Sequence, residues 1–182
     1  KKYNKQIHTF TIGFPDSTDL LNAKIVADHI NSIHHEYIIT PEYAISRIPD
    51  VIRMIETYDI TTIRASTMMY LICEYISTEF DFKVIFSGEG ADELLGGYLY
   101  FHYAPNESEF EKETLRITRD LQYFDVLRAD RCTAGHGLEL RVPFLDQDFI
   151  KYCHSVPGNL RRPLQNIEKY YLRKAFEDML PQ

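Results

Sequence analysis

Residues 83–101 read KVIFSGEGADELLGGYLYF. Val84, Ile85 and Phe86 have the β-branched and aromatic character of a buried strand, which Ser87-Gly88-Glu89-Gly90 then ends. Glycines at such a turn let backbone amides come close to a ligand, and Ala91-Asp92-Glu93-Leu94 predicts a short helix whose amino end favours anions. The acids run against a plain phosphate loop, because a carboxylate 4 Å from a phosphate charge costs about 4 kcal/mol at an effective dielectric near 20. A divalent cation removes that repulsion, and Mg²⁺ is commonly held by one or two carboxylates together with phosphate oxygens. Glu89 and Asp92 lie three apart and share a face if both sit in the first helical turn. Glu93 is expected to do no more than cap that helix.

Moving outward, residues 7–14 (IHTFTIGF) predict a strand closed by Gly13 and Pro15. A helix follows, capped at Asp16, Ser17 or Thr18, with Leu21, Ile25 and Ala27/Ile30 recurring on its apolar side. Residues 34–40 predict a second strand, and Thr40-Pro41 is a cap followed by proline at the first helical position. Pro49 lacks an amide hydrogen and should split the next helix near Arg47. ETYDITTIRAST (56–67) breaks the helical pattern, and a further helix is expected from Ser66 or Thr67 to Ile76. Strands alternating with helices predict an α/β fold, a parallel sheet with flanking helices, whose ligands gather at the carboxyl ends of strands such as Ile12-Gly13 and Ser87-Gly88. From Asn106 onward only helical patterns are visible, so the C-terminal part is expected to be all helical.

The chain has 182 residues, which predicts one domain. Its net charge of −7 disfavours nucleic acid and acidic membrane surfaces as partners, and no apolar run reaches the ~18 residues of a membrane span. Cys73, Cys132 and Cys153 match neither a disulfide framework nor a metal motif, which predicts free thiols in a reducing compartment, hence a soluble, cytoplasmic protein. KKYNKQ enters the first strand so abruptly that a fragment of a longer chain is expected. Asp59, Thr61, Thr62, Arg64, Ser66 and Thr67 would suit a small zwitterion, although an ordinary capping loop looks the same. Asp125 and Arg128 stand at i, i+3 of one helix, a spacing more often found in solvated salt bridges than in catalysis. His29, His34, His35 and Glu36 are better read as polar residues opening a strand than as zinc ligands.

Four stretches carry a more specific signal: ETYDITTIRAST, VIFSGEGADELLGGYLYFH with the following AP, DVLRADRCTAGHGLELRVPFLD and IEKYYLRKAFED. In this order they resemble the synthetase domain of glutamine-dependent asparagine synthetases, over about residues 7–180. The resemblance implies an ATP pyrophosphatase fold, with ATP and Mg²⁺ as cofactors. It implies adenylation of the aspartate side chain, release of pyrophosphate, and attack of ammonia on β-aspartyl-AMP to give asparagine and AMP. Carried over by position, it implies that Ile12, Gly13, Ser87 and Gly88 meet the nucleotide and that Asp92 holds Mg²⁺. Glu89 would assist the acyl-adenylate steps, Asp125, Arg128 and Lys169 would organise the phosphates, and Thr61, Thr62 and Arg64 would receive aspartate. It further implies an N-terminal glutaminase domain in a full-length chain, with a homodimer among the expected assemblies. Some wording departs from the family. No Ser-Gly-Gly-x-Asp-Ser-Ser phosphate loop precedes the first strand, Ala91 replaces a frequent serine, Leu94-Leu95-Gly96 varies the following loop, and the last helix stops at Pro181. As it stands the fragment is therefore expected to be incomplete for catalysis. The alternatives are a non-catalytic nucleotide-binding or interaction module of the same fold and a related amide-forming enzyme such as a β-lactam synthetase.

Overall fold

The computed structural model describes residues 5–181; residues 1–4, where the expected phosphate-loop wording is missing, and residue 182 lie outside the described residues. In chain order the elements are β1 (His8–Gly13), α1 (Thr18–His29), β2 (Ile33–Ile38), α2 (Pro41–Ser46), α3 (Ile48–Ile55), α4 (Ile60–Glu79), β3 (Val84–Phe86) and α5 (Ala91–Leu95). They continue with α6 (Glu107–Asp120), α7 (Asp125–Gly135), β4 (Glu139–Arg141), α8 (Gln147–Ser155), α9 (Gly158–Arg161) and α10 (Tyr170–Ala175). The protein is thus mixed α/β with parallel pairing, and it forms two compact units. One comprises the chain up to Lys83 with Arg128–Leu138 and the residues from Asp178; the other comprises Val84–Leu127 and Glu139–Glu177.

In the first unit β1 and β2 run parallel, His8 opposite Ile33 and Gly13 opposite Ile38. Ser17 caps α1 by accepting from the Asp19 amide, and Thr40 caps α2 by accepting from the Tyr43 amide. Each satisfies a donor that has no partner within its helix. Pro49 does split the helix: α2 ends at Ser46 and α3 begins at Ile48, with Arg47 between them. Two expectations fail here. On α1 the buried positions are Leu20 and Ala27, whereas Leu21, Ile25 and Ile30 are exposed. The reason is local: Leu20 packs against Gly13, where an added Cβ would meet Leu20 Cγ at 3.0 Å, and this fixes the rotation of the helix. The break expected over 56–67 is real only as far as Asp59. Asp59 caps α4 through the Thr62 amide at 2.7 Å, so the helix starts at Ile60. The hydroxyls that resembled loop chemistry are absorbed by the helix, Ser66 Oγ donating to Thr62 O at 2.6 Å and Thr67 Oγ1 to Ile63 O at 2.8 Å.

Arg47 turns the α2–α3 break into a tie. Its Nη1 and Nη2 each donate to Glu74 of α4 at 2.7 Å, and its Nε donates to Asp50 at 3.0 Å. The guanidinium also reaches the hydroxyls of Tyr43 and Tyr70. Val51, Ile55, Leu71 and Cys73 form the buried apolar layer beside it.

In the second unit β3 pairs with β4, Val84 opposite Glu139 and Phe86 opposite Arg141, again in parallel. This corrects the expectation of an all-helical C-terminal part. Three residues carry no periodicity, and their partner strand lies far back in the chain. Leu94, Leu95 and Cys153 form the core, with Phe149, Ile150, Tyr171 and Leu172 packed on it. All three cysteines of the protein are free and buried. Among the described residues no helix is long and apolar enough to cross a membrane.

Arg47→Ala should lower stability to urea by about 2 kcal/mol, the range for hydrogen bonds to charged groups in a partly covered site. The pairing also holds the Glu74 carboxyl below its usual range, chiefly through its hydrogen bonds with Arg47. The advantage of the wild type over the variant should therefore be full above the unfolded carboxylate value, about 4.3, and vanish as pH falls through the lowered folded value. Urea midpoints of both proteins from pH 7 to pH 3 test this.

Candidate active site

β3 delivers the chain into Ser87, whose amide donates to Arg141 O at 3.0 Å and so extends the β3–β4 ladder by one step. Gly90, at φ 92°, then reverses the chain into α5, and a Cβ there would lie 2.2 Å from Leu145 Cδ2. A side chain at this position is excluded twice, by backbone conformation and by space. Because α5 starts at Ala91, Glu89 precedes the helix and does not share its first turn with Asp92, contrary to expectation. The helix has only five residues. Most of the electrostatics must then come from side chains rather than from the helix dipole.

The decisive contact spans 77 residues: Lys169 Nζ donates to Asp92 Oδ1 at 2.8 Å, with 26% and 37% of the two side chains exposed. Asp92 is also wedged against the backbone, since a Cβ on Gly97 would fall 1.8 Å from its Oδ1. Lys169 stands just before α10 in the left-handed region at φ 53°, and Gln165 (54°) and Asn166 (60°) share that conformation. Glu93, the expected cap, is a buried acid, only 4% exposed, and accepts from the Tyr98 hydroxyl. Burial pushes its carboxyl upward; the Tyr98 hydrogen bond opposes this, and the charges of Asp125 and Asp92 add to the rise. Tyr98 is in turn pushed well above its ordinary value, by burial first and by Glu93 second. Sequence reasoning missed this pair. Nothing in the spacing signals it: the burial of Leu94 and Leu95, which follow Glu93, is seen only in the folded chain.

The predicted site residues thus fall into two groups. Ser87, Gly88, Glu89, Asp92, Asp125 and Lys169 belong to the second unit, and there the structure brings Asp92 to Lys169 and sets Asp125 in the electrostatic surroundings of Glu93. Ile12, Gly13, Thr61, Thr62, Arg64 and Arg128 belong to the first. Ile12 and Gly13 do end β1, while Thr61, Thr62 and Arg64 lie in the first turns of α4. Thr61 and Arg64 are exposed, but Thr62 is buried and its hydroxyl donates to Asp59 Oδ1 at 2.8 Å. Arg128 Nη1 lies 3.7 Å from Met69 Sδ of α4. Burial pushes the Cys73 thiol up to about 12 and the Cys132 thiol up to about 11, which favours the protonated thiol of each at neutral pH. His34 Nδ1 meets Thr9 Oγ1 at 2.9 Å, and His35 Nε2 meets His8 Nδ1 at 2.9 Å. Among the described residues no group of three His, Cys, Asp or Glu side chains is placed to hold a metal by itself.

The sequence model described as asparagine synthase matches residues 1–116 and 104–182, and the chain belongs to that family. It is 56% identical over 172 residues to the chicken (Gallus gallus) protein named asparagine synthetase (glutamine-hydrolyzing), a match covering 94% of this chain and 31% of the relative. The human protein of the same name gives the same figures, and the mouse (Mus musculus) protein is 55% identical over the same share. The chain spans about a third of the length of the curated relatives it matches, 31% in each of these cases.

The raised Glu93 carboxyl has a measurable consequence. Its folded form holds the proton more tightly than the unfolded chain does, so its contribution favours folding at low pH and is lost as pH rises through the raised value. Glu93→Gln keeps an acceptor for Tyr98 and removes the charge. Its denaturation midpoint should fall less between pH 5 and pH 8 than that of the wild type.

Proposed function

We propose that this chain is the ATP-using synthetase part of a glutamine-hydrolysing asparagine synthetase, with the ATP pyrophosphatase arrangement of strands and helices. It would convert aspartate to asparagine through β-aspartyl-AMP, releasing pyrophosphate and then AMP, with ammonia supplied by an N-terminal glutaminase domain of the full-length protein. The single observation that carries this is the meeting of Lys169 with Asp92 beyond the end of β3, a cation and a carboxylate 2.8 Å apart beside a glycine-bearing turn, in a chain of this family.

Activation is needed because hydroxide leaves an acyl carbon poorly, whereas AMP leaves readily. The negative charge that develops on the departing pyrophosphate must be met by fixed positive groups. Lys169, which stands on the loop just before α10, would do that work. The residues also fit a magnesium ion. Asp92 offers a half-exposed carboxylate, and Mg²⁺ takes one or two carboxylates plus substrate phosphate oxygens rather than an all-protein cage. When bound, the ion would neutralise phosphate charge and act as a Lewis acid. Asp92 would hold it and Lys169 would turn to the phosphates. Ser87 and Gly88 would lie along the nucleotide; a Cβ added at Gly88 would meet nothing within 4 Å. Glu89, which precedes α5, would act on the acyl-adenylate. The family resemblance would give Asp125 and Arg128 to the phosphates, Ile12 and Gly13 to the nucleotide, and Thr61, Thr62 and Arg64 to aspartate.

The test is aspartate-dependent release of AMP and pyrophosphate, with asparagine formed, by the full-length protein. Absence of all three products would favour a non-catalytic nucleotide-binding module. Lys169→Ala should lower kcat with a smaller change in the KM for aspartate, since its contact strengthens as pyrophosphate departs. Gly97→Ala should lower kcat/KM by roughly 100-fold, because the new methyl pushes the Asp92 carboxylate aside by an ångström or more. A Gly97→Ala enzyme with wild-type kinetics would show that the position of Asp92 is immaterial.

A further inference from the structure

YLYFH, residues 98–102, lies inside the stretch that marks the family, yet nothing in the proposed chemistry uses His102. The structure shows what it touches. His102 lies in the 3₁₀ segment Leu99–Tyr103, and its Nε2 donates to Glu168 Oε1 at 2.5 Å, across 66 residues, with about a quarter of each side chain exposed (23% and 25%). Glu168 is the residue immediately before Lys169.

The segment 164–169 is poorly suited to holding its shape unaided. Gln165, Asn166 and Lys169 all have positive φ, a conformation in which each L side chain crowds its own carbonyl and which persists only where neighbouring groups impose it. Local restraints include the bridge between Leu164 and Ile167, with amide-to-carbonyl distances of 3.2 and 2.9 Å, the Arg173 Nε donation to Glu168 O at 3.0 Å and the Arg173 amide donation to Lys169 O at 2.9 Å. The bridge holds the start of the segment and Arg173 holds two carbonyls. The His102–Glu168 hydrogen bond adds a side-chain tie from the end of the segment to a distant part of the chain that does not involve Lys169 itself. We propose that His102 is a positioning residue: by gripping Glu168 it fixes the backbone of Lys169 and so aims the ammonium at Asp92 and at the phosphates that would gather there. This inference rests on the role given to Lys169 above.

A group that acts through Lys169 should lose its effect once Lys169 is gone. In the full-length enzyme, with pyrophosphate release as the readout, His102→Ala is expected to lower kcat by roughly tenfold or more with little change in the KM for aspartate. His102→Gln, whose amide nitrogen can take the place of Nε2, should recover most of that loss. In a Lys169→Ala background, His102→Ala should cost nothing further. Losses that multiply in the double variant, or a His102→Ala enzyme with wild-type kcat, would overturn the proposal. Should Lys169→Ala itself leave kcat unchanged, the role of Lys169 falls, and hydrogen exchange at amides 165–169 decides on His102. Faster exchange in His102→Ala than in the wild type would support the grip, and equal exchange would overturn it. If His102→Ala does not fold, Glu168→Ala, which removes the acceptor, is read by the same criteria.

Discussion

The constraint on which the candidate site depends is the placement of one ammonium, Lys169 Nζ, 2.8 Å from one carboxylate, Asp92 Oδ1. The pair is half-exposed, and at such exposure an ion pair contributes about 0–1 kcal/mol. Three residues in left-handed conformation within 165–169 cost of order 1–3 kcal/mol each. The attraction cannot therefore be what holds the segment in place. The geometry is imposed from outside, through the Leu164–Ile167 bridge, the Arg173 and His102 contacts of Glu168, and the close seating of Asp92 against Gly97. The ion pair is the product of that framework, which is the arrangement expected of groups held for a task rather than for stability.

The same economy governs the acids. Burial raises the Glu93 carboxyl, and the charges of Asp125 and Asp92 add to the rise. Negative charge is therefore already crowded beyond β3, and adding a polyphosphate without new positive charge would be unfavourable. Lys169 supplies one charge, and magnesium, as proposed, would supply two more at the oxygen atoms of Asp92. Glu93 takes a different part from its neighbour. Its hydrogen bond with Tyr98 ties α5 to the segment that follows, and the raised carboxyl bears the cost of covering an acid in order to do so.

What was legible in the sequence was what is local. The glycine turn after β3, the caps at Ser17 and Thr40, and the break at Pro49 are each set by residues within a few positions, and each appears where expected. What was not legible depends on distant partners. β4 is a strand because β3 lies beside it, and α1 turns Leu20 inward because Gly13 leaves room. The start of α4 was misread because Thr62, Ser66 and Thr67 look like loop residues until their hydroxyls are seen returning to the helix. Of the candidate site, the residue types were readable from resemblance. The pairing of Lys169 with Asp92 and the burial of Glu93 were not, because nothing in spacing predicts a contact across 77 residues.

Three glycines of one turn show how fold and function divide the sequence. Gly90 is required by its φ of 92° and by Leu145 above it, which is a demand of the fold. Gly97 is required because Asp92 occupies the space a methyl would need, with its carboxylate and also with its Cα, 2.8 Å from an added Cβ, so the demand belongs to the fold as well as to the proposed site. Gly88 is under neither demand: its φ lies outside the left-handed region and an added Cβ would meet nothing within 4 Å. Glycine loses more conformational freedom on folding than any other residue, so its presence at an unconstrained position weakens the chain with no return inside the fold. If nucleotide passes along Ser87-Gly88, as proposed, the return lies in the ligand, because a backbone without a Cβ lets its amides approach an anion that a side chain would hold off.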